Sequence, residues 1–199
     1  TSTSMPTMFY NLDLSGSSIL LKSAPGLSVQ NCVMVSPPGS NATLFQSASS
    51  TGGWSSLCVL SSNINANGGI MFDTAKVTGT TSVNIMDSNL SAFNVLLTYN
   101  LASVVVRRST IQTTGRIFNT TGVSGPPTIL VDSCTLSSPT LNNIYYGTTS
   151  SRTALTIFNT TMTRTNLATS GTTSSANYTS NSCTDCVIDS TPKIGFTNM

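Results

Sequence analysis

The sequence predicts an all-β chain that folds as a parallel β-helix. Three observations favour this class. An eight-residue unit recurs along the chain, its apolar residues alternate as they do in half-buried strands, and a bend-forming residue stands at the same point of nearly every copy. A unit this short cannot bury its own apolar face, so successive copies must stack to share one core.

The unit reads apolar, any, apolar, any, turn-former, small, any, apolar. Its copies begin at Leu12, Leu27, Leu57, Val83, Val104, Ile129, Leu155 and Asn181. The fifth position holds Gly16, Asn31, Ser61, Asp87, Arg108, Ser133, Asn159 and Asp185. Gly, Asn and Asp tolerate a left-handed backbone, which predicts a bend at this position. The sixth residue is small in every copy, and the eighth is always Ile, Leu or Met.

A second short apolar strand follows most copies, as in Ile70-Met71-Phe72 and Ile117-Phe118, and loops rich in Gly, Ser, Thr and Pro absorb differences in length. We therefore expect one domain over residues 1–199, with a repeat region of about 12–188. The expected fold is a single-stranded, right-handed parallel β-helix, a solenoid of about seven to eight coils. A β-sandwich of short antiparallel strands is the alternative, although that fold would not require the same kind of residue at the bend of every copy.

The composition excludes several classes of function. Only 7% of the residues are charged, against about 25% in an ordinary soluble domain, whereas 33 Ser and 33 Thr make up a third of the chain. The net charge is only +2, and the basic residues are scattered, with Arg107-Arg108 as the one adjacent basic pair. We therefore expect no nucleic-acid partner. No apolar run approaches the roughly 18 residues that a membrane span needs.

Sequons and cysteines together predict an extracellular or cell-surface protein. Five Asn-x-Ser/Thr sequons are candidate glycosylation sites, at Asn41, Asn89, Asn119, Asn159 and Asn177. The chain has five cysteines, an odd number that leaves at least one thiol free or bonded to another chain. Cys183 and Cys186 are close enough in sequence for a local disulfide, and two buried thiols are the alternative.

The residues of the chain do not form a recognisable catalytic pattern. There is no Glu and no His, and the six aspartates are Asp13, Asp73, Asp87, Asp132, Asp185 and Asp189. Cleavage by paired carboxylates needs two groups roughly 5–9.5 Å apart, but Asp87 and Asp132 fall in non-adjacent copies at different positions. We therefore expect no enzyme activity, no catalytic residues, no cofactor and no metal site.

The repeat resembles that of the pectin-lyase-like right-handed parallel β-helices. Copies such as Ser103-Val-Val-Val-Arg-Arg-Ser-Thr-Ile111 and Pro127-Thr-Ile-Leu-Val-Asp-Ser-Cys-Thr-Leu136 carry the likeness. The sequence of these copies is similar to that of extracellular repeat proteins of that class, such as the dispersed-gene-family surface proteins of trypanosomatids. The resemblance spans about residues 12–188. It implies an architecture and an extracellular setting, and it implies no particular activity.

The ends of the repeat suggest a function. Neither terminus shows a polar cap, since Met5-Pro-Thr-Met-Phe-Tyr10 and Lys193-Ile-Gly-Phe196 are largely apolar. Either the chain is a slice of a longer β-helix, or copies stack head to tail into a glycosylated structural fibre. One alternative is a carbohydrate-binding or carbohydrate-cleaving appendage, for which Trp54 and Tyr145-Tyr146 are the candidate aromatic contacts. Another is an adhesive surface ectodomain, and bound or covalent glycans suit all three.

Overall fold

The computed structural model describes residues 6–21, 25–37, 42–47, 54–74, 80–120, 127–146, 153–166, 173–179, 181–184 and 196–197. These residues form nineteen β-strands, and the described part of the chain contains no helix. Every strand pairing between them is parallel. The all-β, parallel β-solenoid class predicted from the repeat is therefore confirmed.

The first of two sheets, sheet A, has eight strands in chain order. They are β1 (Thr7–Tyr10), β3 (Gly26–Gln30), β6 (Ser56–Leu60), β9 (Thr80–Met86), β11 (Asn100–Arg107), β13 (Thr128–Asp132), β15 (Thr153–Phe158) and β17 (Thr173–Thr179). The strands between them belong to the second sheet, so the chain returns to sheet A once per winding. We call each winding that starts with a sheet A strand a coil.

The second sheet, sheet B, holds the remaining strands. They are β2 (Ile19–Leu21), β4 (Val33–Val35), β5 (Phe45–Ser47), β7 (Asn63–Asn65), β8 (Ile70–Thr74), β10 (Asn89–Thr98), β12 (Thr110–Thr120), β14 (Thr135–Tyr146), β16 (Thr161–Asn166), β18 (Asn181–Thr184) and β19 (Phe196–Thr197). The two short strands of the early coils merge into one long strand in each of β10, β12 and β14. The second apolar strand that the sequence predicts after most copies lies in β5, β8, β10, β12 and β14.

The core consists of columns of equivalent side chains from successive coils. The register pairs Val83 with Leu57 and Val104, and Val104 in turn with Ile129. All four side chains are at most 3% exposed. Further buried columns pass through the third and eighth positions of the repeat, and an aromatic column contains Phe45 stacked on Phe72, with ring centroids 5.2 Å apart. Because parallel strands repeat about every 4.8 Å, each buried side chain packs on its own counterpart.

A left-handed residue ends each strand of sheet A whose corner is described, as the fifth position of the repeat predicts. The φ angles lie between 45° and 55°, and the residues are Asn11, Asn31, Ser61, Asp87, Arg108, Ser133 and Asn159. This conformation turns the chain sharply into sheet B within one residue. Asn and Asp accept it most readily among residues with a side chain.

The sixth position forms a hydrogen-bonded column that we call the corner spine, made of Cys32, Ser62, Ser88, Ser109, Cys134, Thr160 and Asn181. The backbone N–H of Ser62 donates to Ser88 Oγ at 3.2 Å, and the N–H of Ser88 donates to Ser109 Oγ at 3.2 Å. Each hydroxyl also donates to a carbonyl two residues earlier, as Ser88 Oγ does to Met86 at 2.7 Å. All seven residues are buried, so the spine satisfies backbone groups that water cannot reach.

The structure corrects the first copy of the repeat, which the sequence predicted to begin at Leu12 and bend at Gly16. Thr7 pairs with Leu27 and Phe9 with Val29, so the first coil begins at Thr7 and its corner is Asn11. Gly16 does have a positive φ of 77°, but it lies in a later turn. The prediction failed because both residues are bend formers and apolar residues flank each of them.

The last copy is also shifted relative to the prediction, which placed Asn181 at its first position and Asp185 at its bend. Ser182 pairs with Thr161, so Asn181 takes the sixth position. Its side chain accepts the N–H of Thr160 at 3.0 Å and donates to a backbone carbonyl. The sheet A strand of this coil is β17, which the pattern missed because it lacks Val, Ile and Leu. Asp185 lies outside the described residues.

Removing one hydroxyl of the corner spine should destabilise the whole fold. Ser88→Ala leaves the buried N–H of Ser62 without an acceptor, which we expect to lower the free energy of unfolding by about 1–3 kcal/mol. Ser88→Thr should stay close to the parent, because Thr160 fills the same position. Ser91→Ala, at a half-buried site outside the spine, is the control. Urea unfolding followed by circular dichroism measures all three, and an unchanged Ser88→Ala midpoint would contradict the role of the spine.

Candidate functional site

The first coil leaves the core open at one end of the solenoid. β1 and β2 are the terminal strands of sheets A and B, and no described strand pairs with their outer edges. The core side chains of this coil, Phe9, Leu14, Ile19 and Leu21, are only partly buried, whereas their counterparts in interior coils are fully buried. The end of the solenoid therefore presents an unpaired backbone edge next to uncovered apolar side chains.

Exposed apolar side chains concentrate around the same end. Of the seven large apolar residues that are exposed in the described chain, six lie within the first two coils: Met8, Tyr10, Leu12, Leu20, Val33 and Val35. Met8 is 62% exposed, Leu20 56% and Tyr10 54%. Single exposed apolar residues are ordinary, but a cluster at one end of a molecule is typical of a surface that contacts a partner.

The opposite end differs between the two sheets. In sheet A, β17 is the terminal strand, and its outer edge has no partner among the described residues. In sheet B the last coil is followed by β19, which pairs Phe196 with Asn181 and Thr197 with Ser182. Thus β19 covers the outer edge of β18 at the start of that strand, while no described strand covers the outer edge of β17.

Two pairs of opposite charge link adjacent coils in the middle of the solenoid. Arg108 donates to Asp87 through two hydrogen bonds, from Nε at 2.7 Å and from a terminal nitrogen at 2.8 Å. This pair joins the corners of adjacent coils and holds the pKa of Asp87 below its ordinary value, while it raises the pKa of Arg108. Arg107 lies 3.7 Å from Asp132 of the following coil. These charges therefore link neighbouring coils.

A shallow groove of about 600 Å³ runs along these corners, lined by residues that include Asn31, Asn63, Asp87, Asn89 and Arg108. Its two charged side chains are occupied with each other, and Asn89 donates to Asn63 at 3.3 Å. Elsewhere, hydrogen bonds from the side chain and from the backbone N–H of Ser15 lower the pKa of Asp13. Among the described residues, no three His, Cys or Asp side chains come together as a metal site would require.

The sequons occupy different environments. Asn89 is exposed at the start of β10, and Asn159 is exposed at a left-handed corner. Asn119 is half-buried within β12. Asn177 falls in β17, but its side chain lies outside the described part of the structure, as does the whole of Asn41. Of the three candidate asparagines whose side chains the structure describes, Asn89 and Asn159 are therefore accessible to a modifying enzyme.

The cysteines that the structure describes are not in disulfides. Cys32 and Cys134 are buried in the corner spine, the small position at which the sequence placed them, and burial raises the pKa of the Cys134 thiol. Cys58 is half-buried on the outer face of sheet A, and desolvation raises its pKa as well. Cys183 is described only through its backbone in β18, and Cys186 is outside the described residues, so their disulfide stays a prediction.

The aromatic residues considered for sugar binding do not form an outer platform where they are described. Trp54 is only 1% exposed, and its indole packs edge-on against Phe72 with centroids 6.4 Å apart. It is therefore a core residue and not an outer contact for a sugar. Tyr145 and Tyr146 belong to β14, but their side chains are outside the described part.

Comparison of the chain with models of protein families, with curated proteins and with solved structures finds no match. Among the described residues, no helix has the length and apolar character that a bilayer crossing needs. The parallel β-solenoid and its end surfaces are therefore the observations from which function must be argued.

The Asp87–Arg108 pair predicts a specific dependence of stability on pH. Because the native pKa of Asp87 is lowered, its stabilisation is present above the unfolded-state value of about 3.9 and is lost as the pH falls through the lower native value. Asp87→Asn keeps a residue that accepts the left-handed corner. We expect it to lower the urea midpoint slightly at pH 7 and not at acidic pH, since both partners are half exposed. Arg108→Gln and the double variant should match it, and a pH-independent difference would contradict the prediction.

Proposed function

We propose that this chain is an extracellular structural protein, a glycosylated β-solenoid whose copies associate end to end. The observation that carries the proposal is the open first coil, where an unpaired strand edge lies beside partly buried Phe9 and Leu14. In interior coils the preceding coil covers the same positions. A further parallel strand is therefore the surface that fits this end best.

Association through such an edge joins unlike surfaces. The outer edge of β1 at one end would meet the outer edge of β17 at the other, which makes the contact heterologous. A heterologous contact along a single axis does not close, so it extends into filaments. The low charge of the chain supports this arrangement, because coils that stack in register would otherwise place like charges side by side.

The extracellular setting rests on the sequons and on the repeat. Exposed Asn89 and Asn159 offer acceptors for N-linked glycans, which would keep a nearly uncharged surface soluble. The likeness of the repeat to pectin-lyase-like extracellular proteins supports the same setting. A carbohydrate-cleaving or carbohydrate-binding role is less well supported, since Trp54 lies in the core.

A charge at the open end should abolish association. Phe9→Arg places an ion beside the uncovered core, and its burial against a second copy would cost several kcal/mol. We expect the parent chain to form elongated assemblies in electron microscopy and sedimentation at high concentration, and the variant to stay monomeric. Thr135→Arg, at an exposed site in the middle of the solenoid, is the matched control. Parent protein that remains in short discrete particles at every concentration would refute end-to-end association.

The sequons predict a measurable change in mass. Secreted from eukaryotic cells, the chain should lose mass when N-glycans are removed enzymatically, and Asn89→Gln and Asn159→Gln should each remove one glycan. Asn63→Gln, an exposed asparagine outside any sequon, should leave the mass profile unchanged apart from the substitution. A chain that is retained in the cell, or secreted without glycans, would contradict the proposed setting.

A further inference from the structure

Asn67-Gly68 is the only Asn-Gly pair in the sequence, and it forms the turn between β7 and β8. Both residues have a positive φ, of 43° and 92°, and the N–H of Gly69 donates to the carbonyl of Ala66 at 2.8 Å. Two positive φ angles inside a hydrogen-bonded four-residue turn define type I′, for which Asn-Gly is a favoured pair. The geometry of the turn therefore accounts for the presence of both residues.

The side chain of Asn67 ties this turn to the preceding coil. Its Nδ2 donates to the backbone carbonyl of Ser36, which follows β4 in the second coil. The N–H of Ser36 donates to the carbonyl of Asn65 at 2.9 Å, and Asn65 Oδ1 accepts the N–H of Asn67 at 2.8 Å. These three residues form a small network across the two coils, in which the Asn67 amide supplies a donor that a carboxylate could not.

The same turn exposes the two groups that react with each other in the deamidation of asparagine. Gly68 is exposed and Asn67 is half-buried. Among the described residues, none accepts a hydrogen bond from the N–H of Gly68. Glycine has no Cβ to shield its nitrogen, and asparagine is a thermolabile residue. The backbone nitrogen of Gly68 is therefore available to attack the side-chain carbon Cγ of Asn67.

We propose that Asn67 is a site of spontaneous deamidation, and that its conversion weakens the contact between the second and third coils. Gly68 N forms a bond to Asn67 Cγ, the bond from Cγ to Nδ2 breaks, and the proton of the Gly68 N–H leaves with Nδ2 as ammonia. Water then opens the resulting succinimide at either carbonyl, which leaves aspartate or isoaspartate at position 67. Water is the only co-reactant, and the inference does not depend on end-to-end association.

The reaction consumes the donor that holds Ser36. An aspartate at position 67 is ionised at neutral pH, so its oxygens only accept hydrogen bonds, and one acceptor then faces another at the Ser36 carbonyl. Isoaspartate also adds a carbon to the main chain, which a turn closed by a hydrogen bond between Ala66 and Gly69 cannot take up unchanged. Either product therefore loosens the contact between the two coils.

The affected strand lies near the apolar end of the solenoid. β4 carries Val33 and Val35, which are 43% and 39% exposed, and its pairing with β7 covers three residues. The contact between Asn67 and Ser36 extends this short pairing beyond the end of β4. Its loss therefore acts on a strand with few other bonds, and we expect the effect to be local to these two coils.

Peptide mapping by mass spectrometry tests the modification on the full folded chain. In warm, mildly alkaline buffer, Asn67 should lose its amide and give aspartate and isoaspartate, the latter detected with an isoaspartate-specific methyltransferase. Asn63 and Asn65 are internal controls, because Ile64 and Ala66 follow them in place of glycine, and both should remain amides. Asn67→Gly, which a type I′ turn also accepts, should give no isoaspartate in this segment.

Hydrogen exchange tests the structural consequence. Asn67→Asp reproduces one product, so we expect faster exchange of the Ser36 N–H and a lower urea midpoint than in the parent chain. Asn67→Gly removes the donor without adding a carboxylate, and its Ser36 exchange rate should lie between the two. The N–H of Asn89, which donates to Ser62 at a different corner, should exchange at the parent's rate in both variants.

The outcomes separate the chemistry from its effect. Conversion of Asn67 in the folded chain, together with faster Ser36 exchange in Asn67→Asp, supports the inference. Conversion that occurs only in urea, or that is equally fast at Asn63 and Asn65, overturns the modification site. Conversion of Asn67 with unchanged Ser36 exchange and an unchanged urea midpoint in Asn67→Asp overturns the proposed link between the coils. None of these results decides end-to-end association, which the Phe9→Arg variant tests.

Discussion

The structure depends on how the chain provides hydrogen-bond partners for its backbone groups at the corner between the two sheets. A one-residue bend takes the next N–H out of the ladder of sheet A and buries it before sheet B begins. No strand can accept that N–H, and leaving it unpaired would cost about 1–3 kcal/mol in each coil. The side chain at the sixth position of the following coil solves the problem, as Ser88 does for Ser62. The same side chain must also be small enough to fit inside the bend.

This solution imposes the rest of the repeat. A hydroxyl can serve the preceding coil only if the two coils are in register, so the corner spine fixes the axial alignment along which the core columns form. Val83, Val104 and Ile129 then lie one above another, and each coil packs on a near copy of itself. A column of identical positions tolerates apolar or hydrogen-bonding residues but not like charges. The chain is accordingly rich in Ser and Thr, and Asp87 and Arg108 are compensated between coils.

The sequence predicted the corners correctly in interior copies of the repeat, which have a neighbouring copy on each side. It predicted them wrongly in the first and last copies, which have a neighbour on one side only. Interior corners such as Asn31 and Ser133 were located because apolar columns on both sides support one alignment. Near the N-terminus, Asn11 and Gly16 are both competent bends, and only pairing with β3 selects Asn11. At the other end the Ser- and Thr-rich β17 shows no apolar alternation, so Asn181 was assigned to the wrong position.

The candidate site was predicted less well than the fold for a related reason. The repeat predicts that the ends lack a polar cap, and among the described residues no strand pairs with the outer edge of β1. Whether a particular loop residue covers the core depends on how the loop closes, which the repeat does not encode. Trp54 illustrates this limit, because its burial is set by contact with Phe72 and not by its position in the unit.

The end coils also show why stability and association are linked in this architecture. Each interior coil is stabilised by two neighbours, whereas the first described coil has one, so Thr7, Phe9 and Leu12 lie on a surface that no other described coil covers. Selection for an isolated solenoid would favour polar residues at these positions, since exposed apolar residues there add no stability and promote aggregation. The exposed Leu12 and the partly buried Phe9 therefore fit the proposed end-to-end association better than they fit an isolated solenoid.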